Sequence, residues 1–492
     1  MNYRSVIYVL GKILIILGAL MTLPLLVGVY YNLNGATEAP YHSFLIPIAI
    51  SLASGFLLSV KKPKKVSIFA KEGFVICGIG WLLASVIGAM PFVISGAIPS
   101  FIDAFFETAS GLTTTGASIL REIASLPKSI LFWRSFTHWI GGMGLLSFMI
   151  AIVPRSKGNS MHVMKAEVPG LSASKVVSKI SESARILYLI YFALTVLMII
   201  VQFVGGRIVG DNIAFYDCVV NALSTAGTGG FSVLNNSILG YNSVFLEITI
   251  SVFMFLFGVN FNLYFLILKK KFKSAFTDEE FKAYVIINLV SVVLITVNIA
   301  NLYGNIGYAI KDSLFTVNAV MSTTGFGTAD FNTWPTFSKI LLMLLMFVGG
   351  SAGSTGGGMK VARIMLYFKQ MAKEFRQMLY PHEVVLVKMN KRAVDSNVVK
   401  GVNSYFIVYM IVLAISTIIV SLNGFDTETT FTAVISCFNN IGPGLGAVGP
   451  TGNYADFSVL SKLVLIFDML AGRLELFPML LLLAPKTWKR TV

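Results

Sequence analysis

Four segments of this sequence share one pattern: a stretch of helix-forming composition ends in a glycine-bearing loop, and a long apolar segment lies on either side. They are residues 103–118, 217–232, 312–327 and 429–444. Non-helical backbone at membrane depth is tolerated only where it is buried in protein or lines a water-filled cavity. Four such segments in one chain therefore favour a fold in which the loops meet around one axis, as in an ion pore.

We name the four loops glycine loops 1 to 4 and align them on one anchor glycine each. They are TTGAS (114–118), TGGFS (228–232), TTGFG (323–327) and NIGPG (440–444), with anchors Gly116, Gly230, Gly325 and Gly442. Loop 3 is close to the TVGYG loop, whose backbone carbonyls replace the hydration shell of potassium. The sequence therefore predicts potassium as the transported ion, rubidium as a congener, and no permanently bound cofactor.

The predicted ion-contacting residues are the anchor glycine and the two residues before it in each loop. They are Thr114, Thr115 and Gly116; Thr228, Gly229 and Gly230; Thr323, Thr324 and Gly325; and Asn440, Ile441 and Gly442. Thr and Gly are also common in ordinary turns, which is the alternative for any single loop. Loops 2 and 4 match least well, so four unlike loops predict weaker ion discrimination than four identical ones.

A polar residue stands thirteen positions before each anchor glycine. These residues are Asp103, Asp217, Asp312 and Thr429, all of types that favour a helix N-cap. About ten helical residues would follow, covering roughly 15 Å, or half of the hydrocarbon thickness. The C-terminal end of such a half-helix carries about half a negative charge and would stabilise a dehydrated cation.

Composition places the chain in a membrane, because only 12% of its residues are charged and its mean hydropathy is +0.78. We predict ten spans: 5–30, 43–60, 73–98, 131–153, 184–206, 243–268, 281–304, 337–368, 401–422 and 457–484. The first resembles a signal peptide but lacks a small-residue cleavage site and precedes another span, so we interpret it as a transmembrane helix. The predicted class is an all-α integral membrane protein.

The predicted organisation is an N-terminal two-helix hairpin followed by four pore repeats, each a helix, a pore helix, a filter loop and a second helix. Their bounds are 1–65 for the hairpin, then 66–160, 161–275, 276–395 and 396–492, with an intramembrane gate loop in the third repeat.

Basic residues concentrate in alternate loops and at the two termini, which together hold 30 of the 38 Lys and Arg residues. Such loops stay cytoplasmic, so we expect both termini inside and the glycine loops entering from outside a cytoplasmic (inner) membrane. The basic residues favour contact with anionic lipid, with an acidic or regulatory partner as a further possibility, and no nucleic-acid-binding face is evident. Three scattered Cys and four scattered His predict neither a disulfide nor a zinc site.

The predicted gate is a glycine-rich stretch within the span 337–368. It comprises Gly349, Gly350, Ser351, Ala352, Gly353, Ser354, Thr355, Gly356, Gly357 and Gly358. Six glycines in ten residues should break a helix, since each costs about 1 kcal/mol there. A hinge or close-packing device is the alternative. A hydrolase elbow would need a preceding strand and a triad, and a phosphate loop would need G-K-[ST]; we therefore predict no enzyme activity.

Arg473 lies within the last predicted span, where a charge is costly and marks a functional site by default. The structural alternative is a salt bridge to Glu475 or Asp468 that fixes helix packing. The functional alternative is a positive charge on the ion path below the loops. We favour the second, so Arg473 joins the predicted gate.

These motifs together resemble the bacterial Trk-type potassium-uptake subunits of the Trk/Ktr/HKT superfamily. The motifs are TTTGAS (113–118), STTGFGTADF (322–331), NNIGPGLG (439–446), GGSAGSTGGGMK (349–360) and AGRLELF (471–477). The resemblance covers nearly the whole chain. It implies a homodimer with one pore per subunit, a cytoplasmic, nucleotide-binding regulatory ring (TrkA-like), and filter, gate and constriction roles for the residues named above. Asp468 does not match the family pattern.

Channel-like potassium uptake driven by the membrane potential is thus the leading hypothesis. One alternative is a secondary carrier that binds an organic substrate at broken helices near the midplane. The other is a sodium-selective or sodium-coupled relative. Steady conductance without a second gradient would separate coupled from uncoupled transport.

Overall fold

The computed structural model describes residues 1–63, 68–144 and 180–489. Within these ranges nearly all regular structure is helical, and an antiparallel pair of two-residue strands, β1 Lys388–Met389 and β2 Arg392–Ala393, completes it. This confirms the predicted all-α class. The end of the span predicted at 131–153, and much of the basic connection that follows it, lie outside the described residues.

The helices run along the chain in the following order. They are α1 Tyr3–Leu20, α2 Thr22–Leu33, α3 His42–Ser59, α4 Ala70–Ile94, α5 Phe101–Leu112, α6 Lys128–Gly142, α7 Ile180–Ile200, α8 Gly206–Val209, α9 Phe215–Gly227, α10 Val244–Phe257, α11 Phe261–Leu268, α12 Phe272–Phe276, α13 Glu279–Tyr303, α14 Ile306–Met321, α15 Thr336–Val348, α16 Val361–Leu379, α17 Ser396–Val420, α18 Thr427–Phe438, α19 Val459–Arg473, α20 Phe477–Leu483 and α21 Pro485–Trp488.

Helices α1 to α3 form an N-terminal unit that packs on α4. Helices α1 and α3 approach each other closely at Gly11 and Gly55, where a Cβ on either residue would lie 2.7 Å from the other's carbonyl oxygen. Glycine at both positions lets the two backbones touch, which is the usual device for close helix contacts in membranes.

One sequence of elements then occurs four times: a long helix, a short helix, a glycine loop and a second helix. The long helices are α4, α7, α13 and α17; the short ones are α5, α9, α14 and α18; the second ones are α6, α10, α15 and α19. Six helices in the described ranges are long and apolar enough to span a membrane, or seven if α10 and α11 count as one span. Of the other predicted spans, 131–153 lies partly outside the described residues, and those at 243–268, 337–368 and 457–484 contain helices that are short or bent.

Three of the second helices are interrupted. The break after α15 at Val348 falls at the predicted glycine-rich stretch, which confirms that prediction. The other two interruptions fall within the predicted spans 243–268 and 457–484 and were not predicted. Helix α10 bends by 89° into α11 because Asn260 caps a new helix, accepting from Asn262 N at 3.0 Å. Helix α19 ends before Glu475 and Leu476, whose positive φ angles of 58° and 67° cannot continue a helix.

The short helices begin three to seven residues earlier than predicted. Their N-caps are Ser100, Ala214, Asn305 and Asp426. The predicted caps Asp103, Asp217, Asp312 and Thr429 lie inside the helices instead, because the upstream residues already cap or begin each helix. Asp426, for example, accepts from Thr429 N at 3.1 Å. Hydrogen bonds from Thr429 lower the pKa of Asp426 below its ordinary value.

The hydrophobic core lies between the N-terminal helices and the four repeats, and apolar side chains also cover the outer surface of the protein. Trp81, Trp133 and Phe106 are fully buried, and Trp133 Nε1 donates to Gly88 O at 3.0 Å. On the outer face of α13, Val293 and Val297 are 60% and 73% exposed. Large exposed apolar stripes at helical spacing are typical of surfaces that face lipid.

Candidate ion pathway

All four short helices end in the same backbone turn. The residue two positions before each anchor glycine adopts left-handed backbone geometry, with φ between 54° and 58°. These residues are Thr114, Thr228, Thr323 and Asn440. The anchor glycines are also left-handed, with φ of 79°, 82°, 78° and 96° in chain order. Left-handed geometry costs a residue other than glycine roughly 1–2 kcal/mol, so its recurrence at one position means that the surrounding fold imposes it.

Equivalent hydrogen bonds close each turn. The backbone N–H of the residue before the anchor donates to the carbonyl five residues back: Thr115 to Ser110, Gly229 to Ser224, Thr324 to Ala319 and Ile441 to Ser436, at 2.8–2.9 Å. A second bond spans three residues, as from Thr114 N to Gly111 O at 3.1 Å. This is a Schellman-type helix end, which terminates each helix at the same point before its anchor.

The glycine loops close into a ring. A Cβ placed on an anchor glycine would lie less than 3.0 Å from the carbonyl oxygen that precedes the next anchor around the ring. The pairs are Gly116 with Gly229 O, Gly230 with Thr324 O, Gly325 with Ile441 O, and Gly442 with Thr115 O. Each loop thus contacts the next loop along the chain, and loop 4 contacts loop 1. Glycine is required at the anchors both for backbone geometry and for space.

A cavity of about 150 Å³ opens on one side of the ring. All four anchor glycines line it, together with residues that follow them in loops 1, 2 and 4. The four short helices end at the ring with the partial negative charge of their C-termini. Converging helix ends and closely packed backbone carbonyls can take the place of water around a cation.

The predicted threonines are buried, and several of their hydroxyls bond within the protein. Thr115 Oγ1 lies 2.8 Å from Thr113 Oγ1, and Thr324 Oγ1 lies 2.7 Å from Ser322 Oγ. In loop 4, Asn440 stands at the threonine position, and its Nδ2 donates to Thr115 Oγ1 at 3.0 Å. The same amide donates to the carbonyl of Met469 at 2.9 Å. Asn440 therefore joins loop 4 to loop 1 and to α19.

Loop 2 has Gly229 immediately before its anchor, where loops 1 and 3 have threonine, and His138 explains this difference. His138 was not among the residues predicted from the sequence. Its imidazole occupies the place that a Cβ on Gly229 would need. The ring Nδ1 lies 3.0 Å from Ser224 Oγ, and the ring stacks on Phe231 with centroids 4.2 Å apart. His138 and Gly229 therefore pack as one unit behind loop 2, and no spacing in the sequence signals this.

The predicted gate stretch passes along the side of the ring away from the cavity, against the ends of α14 and α18. Gly357 N donates to Thr323 Oγ1 at 2.6 Å. A Cβ on Gly356 would lie 2.8 Å from Ser322 O, and one on Gly357 would overlap Asn439 O. Only glycine lets the chain pass this close to the ring.

The break between α10 and α11 holds one side of this stretch. Ser351 N donates to Gly258 O at 2.9 Å, and Phe261 N donates to Gly353 O at 3.1 Å. The Glu280 carboxylate, buried at the start of α13, accepts from Ala352 N at 2.5 Å and from Ala362 N at 3.2 Å. Glu280 was not among the predicted residues.

Arg473 joins the gate stretch to the end of α6. Its Nη1 donates to Thr355 O at 2.7 Å, and its Nη2 donates to Gly141 O and Gly142 O, each at 2.6 Å. The side chain is buried at the end of α19. Of the two acids considered as partners, Glu475 forms an ion pair with Arg363 at 2.6 Å, and Asp468 accepts from Ser416 Oγ at 2.7 Å.

The fold and the ring define a helical membrane protein in which four inward-turning loops meet. The chain belongs to the TrkH family of cation transport proteins, whose family model matches residues 41–490. This confirms the predicted family. Because the members named below are transporters, membership also agrees with the prediction of no enzyme activity.

Relatives match over nearly the full length. The chain is 34% identical to the Trk system potassium uptake protein TrkH of Salmonella typhimurium, over 99% of this chain and 100% of that protein. It is 28% identical to the Trk system potassium uptake protein TrkG of Escherichia coli K12, over 99% of each. The crystal structure of the potassium transporter TrkH from Vibrio parahaemolyticus matches with a TM-score of 0.87 and 31% identity, covering 99% of this chain and 100% of that one.

Proposed function

We propose that this chain carries potassium across the cytoplasmic membrane into the cell through a channel-like pore whose selectivity filter is formed by the four glycine loops. The observation that carries the proposal is the closed ring, in which each anchor glycine contacts the carbonyl before the next anchor. Its relatives are named as potassium uptake proteins, which supports potassium as the transported ion. We assign the filter to the twelve ion-contacting residues predicted above. We also assign to the four pore repeats the bounds predicted from the sequence.

The physical basis is replacement of the hydration shell by backbone carbonyls. Four short helices end at the ring, each contributing roughly half a negative charge. A membrane potential that is negative inside the cell supplies about 2.3 kcal/mol per charge for each 100 mV. No second gradient is needed for uptake in this mechanism.

We propose that residues 349–358 and Arg473 form the gate. The stretch contacts the ring through Gly357 and Thr323, and Arg473 holds it to α6 through the Thr355 carbonyl. Opening then requires the stretch to leave these contacts. The positive charge of Arg473 adds an electrostatic barrier to a cation on the same path.

Membership of this family is also the basis for proposals about regulation and assembly. We propose that a cytoplasmic, nucleotide-binding TrkA-like ring moves the gate and that two copies of this chain form a homodimer. The name of the relatives as parts of a Trk system supports a partner. We also propose cytoplasmic termini and contact of the basic loops with anionic lipid, because Lys and Arg concentrate in alternate loops.

The test is rubidium uptake into proteoliposomes holding the purified chain, with potassium or sodium as competitor. Gly325→Ser should lose uptake or its preference for potassium, because its side chain would overlap Ile441 O. Gly401→Ser on α17 is the matched control, since a Cβ there meets nothing within 4 Å. Equal competition by sodium would mean that the loops do not select potassium, and would reopen the sodium and carrier alternatives. Uptake that requires a second gradient would favour a carrier.

A further inference from the structure

A buried ion pair lies behind glycine loops 1 and 2. Arg134 Nε, on α6, lies 2.7 Å from Glu107 Oε1, on α5, and the two side chains are 2% and 0% exposed. Burying two charges is costly unless further hydrogen bonds satisfy them. The contacts that satisfy this pair therefore indicate what it does.

Glu107 holds the outer end of loop 1. Ser118 Oγ donates to the carboxylate, at 3.0 Å from Oε1 and 3.2 Å from Oε2. Ile119 N donates to Oε2 at 3.0 Å. The carboxylate therefore fixes the two residues that leave the ring just after Gly116 and Ala117.

Arg134 extends this support to loop 2. Its Nη2 donates to Ser118 Oγ at 3.2 Å, and its Nη1 donates to Ser232 O at 3.0 Å. The guanidinium also lies 3.9 Å from the centre of the Phe231 ring. Ser118 and Ser232 occupy the same position, two residues after the anchor, in neighbouring loops. One rigid guanidinium fork therefore spans the junction between loops 1 and 2.

The acid of this pair stands at a position where the other three units have none. Nine residues before the anchors, where loop 1 has Glu107, the other units have Asn221, Thr316 and Ala433. At two other junctions of the ring, backbone groups make contacts between the segments that follow the loops. Leu239 N donates to Gly327 O at 3.3 Å, and Tyr454 N donates to Ser118 O at 2.8 Å. The pair is therefore a local feature of the junction between loops 1 and 2.

Arg134 also lines the cavity beside the ring. An unpaired guanidinium at that wall would repel an entering cation, whereas the adjacent Glu107 carboxylate cancels its charge. The pair thus combines two effects, geometric support of two loops and neutralisation of a wall of the entrance.

We propose that the Glu107–Arg134 pair is a positioning element that sets both ion affinity and ion discrimination in the pore. Arg134 holds loops 1 and 2 in register, and Glu107 neutralises Arg134 at the cavity. This inference rests on the proposed function, since it assumes that the ring is the filter.

The test compares two single variants, a control variant and a double variant in the rubidium uptake assay, measuring the KM for rubidium and the sodium-to-potassium competition ratio. Glu107→Gln leaves an uncompensated guanidinium at the entrance, so the KM should rise roughly tenfold, and less at high ionic strength. Arg134→Lys keeps the charge but loses the fork, so the KM should stay near that of the wild type while potassium preference falls several-fold.

Glu428→Gln is the matched control. Glu428 also lies on a short helix and pairs with Lys339 at 3.3 Å, but at the N-terminal end of α18, away from the loops. It should leave both the KM and the competition ratio unchanged. If Glu107→Gln and Arg134→Lys also match the wild type in both measurements, the proposal is wrong.

The double variant Glu107→Gln/Arg134→Gln covers the case in which single variants do not fold, because a neutral pair avoids an unpaired buried charge. It should restore the wild-type KM, since no charge remains at the wall, and still discriminate poorly between potassium and sodium. A double variant with wild-type discrimination would overturn the positioning role. Potassium-blocked uptake by the wild type tests the proposed function by itself, so the two ideas fail separately.

Discussion

Removing the Arg473 guanidinium should open the pore. In the structure this group joins three backbone carbonyls: Thr355 on the gate stretch, and Gly141 and Gly142 at the end of α6. Arg473→Gln shortens the side chain, removes its charge and leaves at most one amide donor group. The gate stretch then loses its link to α6.

The magnitude follows from which contacts separate on opening. If the gate stretch moves while α6 and α19 stay in place, opening breaks the bond from Arg473 to Thr355. A hydrogen bond to a charged group contributes roughly 1.5–3 kcal/mol, which corresponds to a shift of roughly 10- to 150-fold in the ratio of open to closed pores. Loss of the positive charge from the path should raise the rate through each open pore as well.

The assay is the initial rate of rubidium uptake into proteoliposomes in the absence of any regulatory partner. Arg473→Gln should exceed the wild type by at least tenfold, within the range that the lost bond predicts. Arg473→Lys should lie between them, because an ammonium group keeps the charge but cannot reach carbonyls on both sides as a guanidinium fork does.

A rate for Arg473→Gln equal to or below that of the wild type would refute this reasoning, provided that the purified variant elutes as the wild type does and melts as one transition. Arg473 would then be a packing element of α6 and α19. The gate would have to depend on other contacts of the stretch, such as those with Glu280.

Three further predictions concern the ring and the short helices that end at it. Gly230→Ala should abolish selective rubidium uptake because its Cβ would overlap Thr324 O, whereas Gly210→Ala, also left-handed but in open space, should cost only about 1 kcal/mol in a thermal melt. Gly229→Ala should reduce the yield of folded protein because His138 fills the space, and adding His138→Ala should recover part of it. Asp426→Ala should lower the free energy of unfolding by about 1 kcal/mol through loss of the α18 cap, measured by thermal melts against Asp426→Asn, which keeps a capping side chain.

Features that depend on short stretches of chain were accessible from the sequence. Glycine at an anchor position is a local requirement, because left-handed backbone is expensive for other residues, and all four anchors were found by alignment. The glycine cluster after Val348 likewise breaks its helix wherever that helix lies. Mean hydropathy alone required a membrane, and the long apolar stretches required helices.

Helix starts were less accessible, since several polar residues near each start can serve as a cap. Asp426 and Thr429 are both suitable types, and only the backbone path decides that Asp426 caps α18. The interruption after α10 was missed for a similar reason, because Asn260 is one polar residue in an otherwise apolar run.

The order of loops around the ring and the groups that support it were decided by tertiary structure. His138 reaches Ser224 across 86 positions, and Arg473 reaches Gly141 across 332. Contacts at such separations depend on how whole helices pack, and no local propensity encodes them. The sequence by itself therefore determined that this chain has four glycine loops within a membrane, whereas packing of the helices decided that the loops close into a ring and that Arg473 joins the glycine-rich stretch 349–358 to α6.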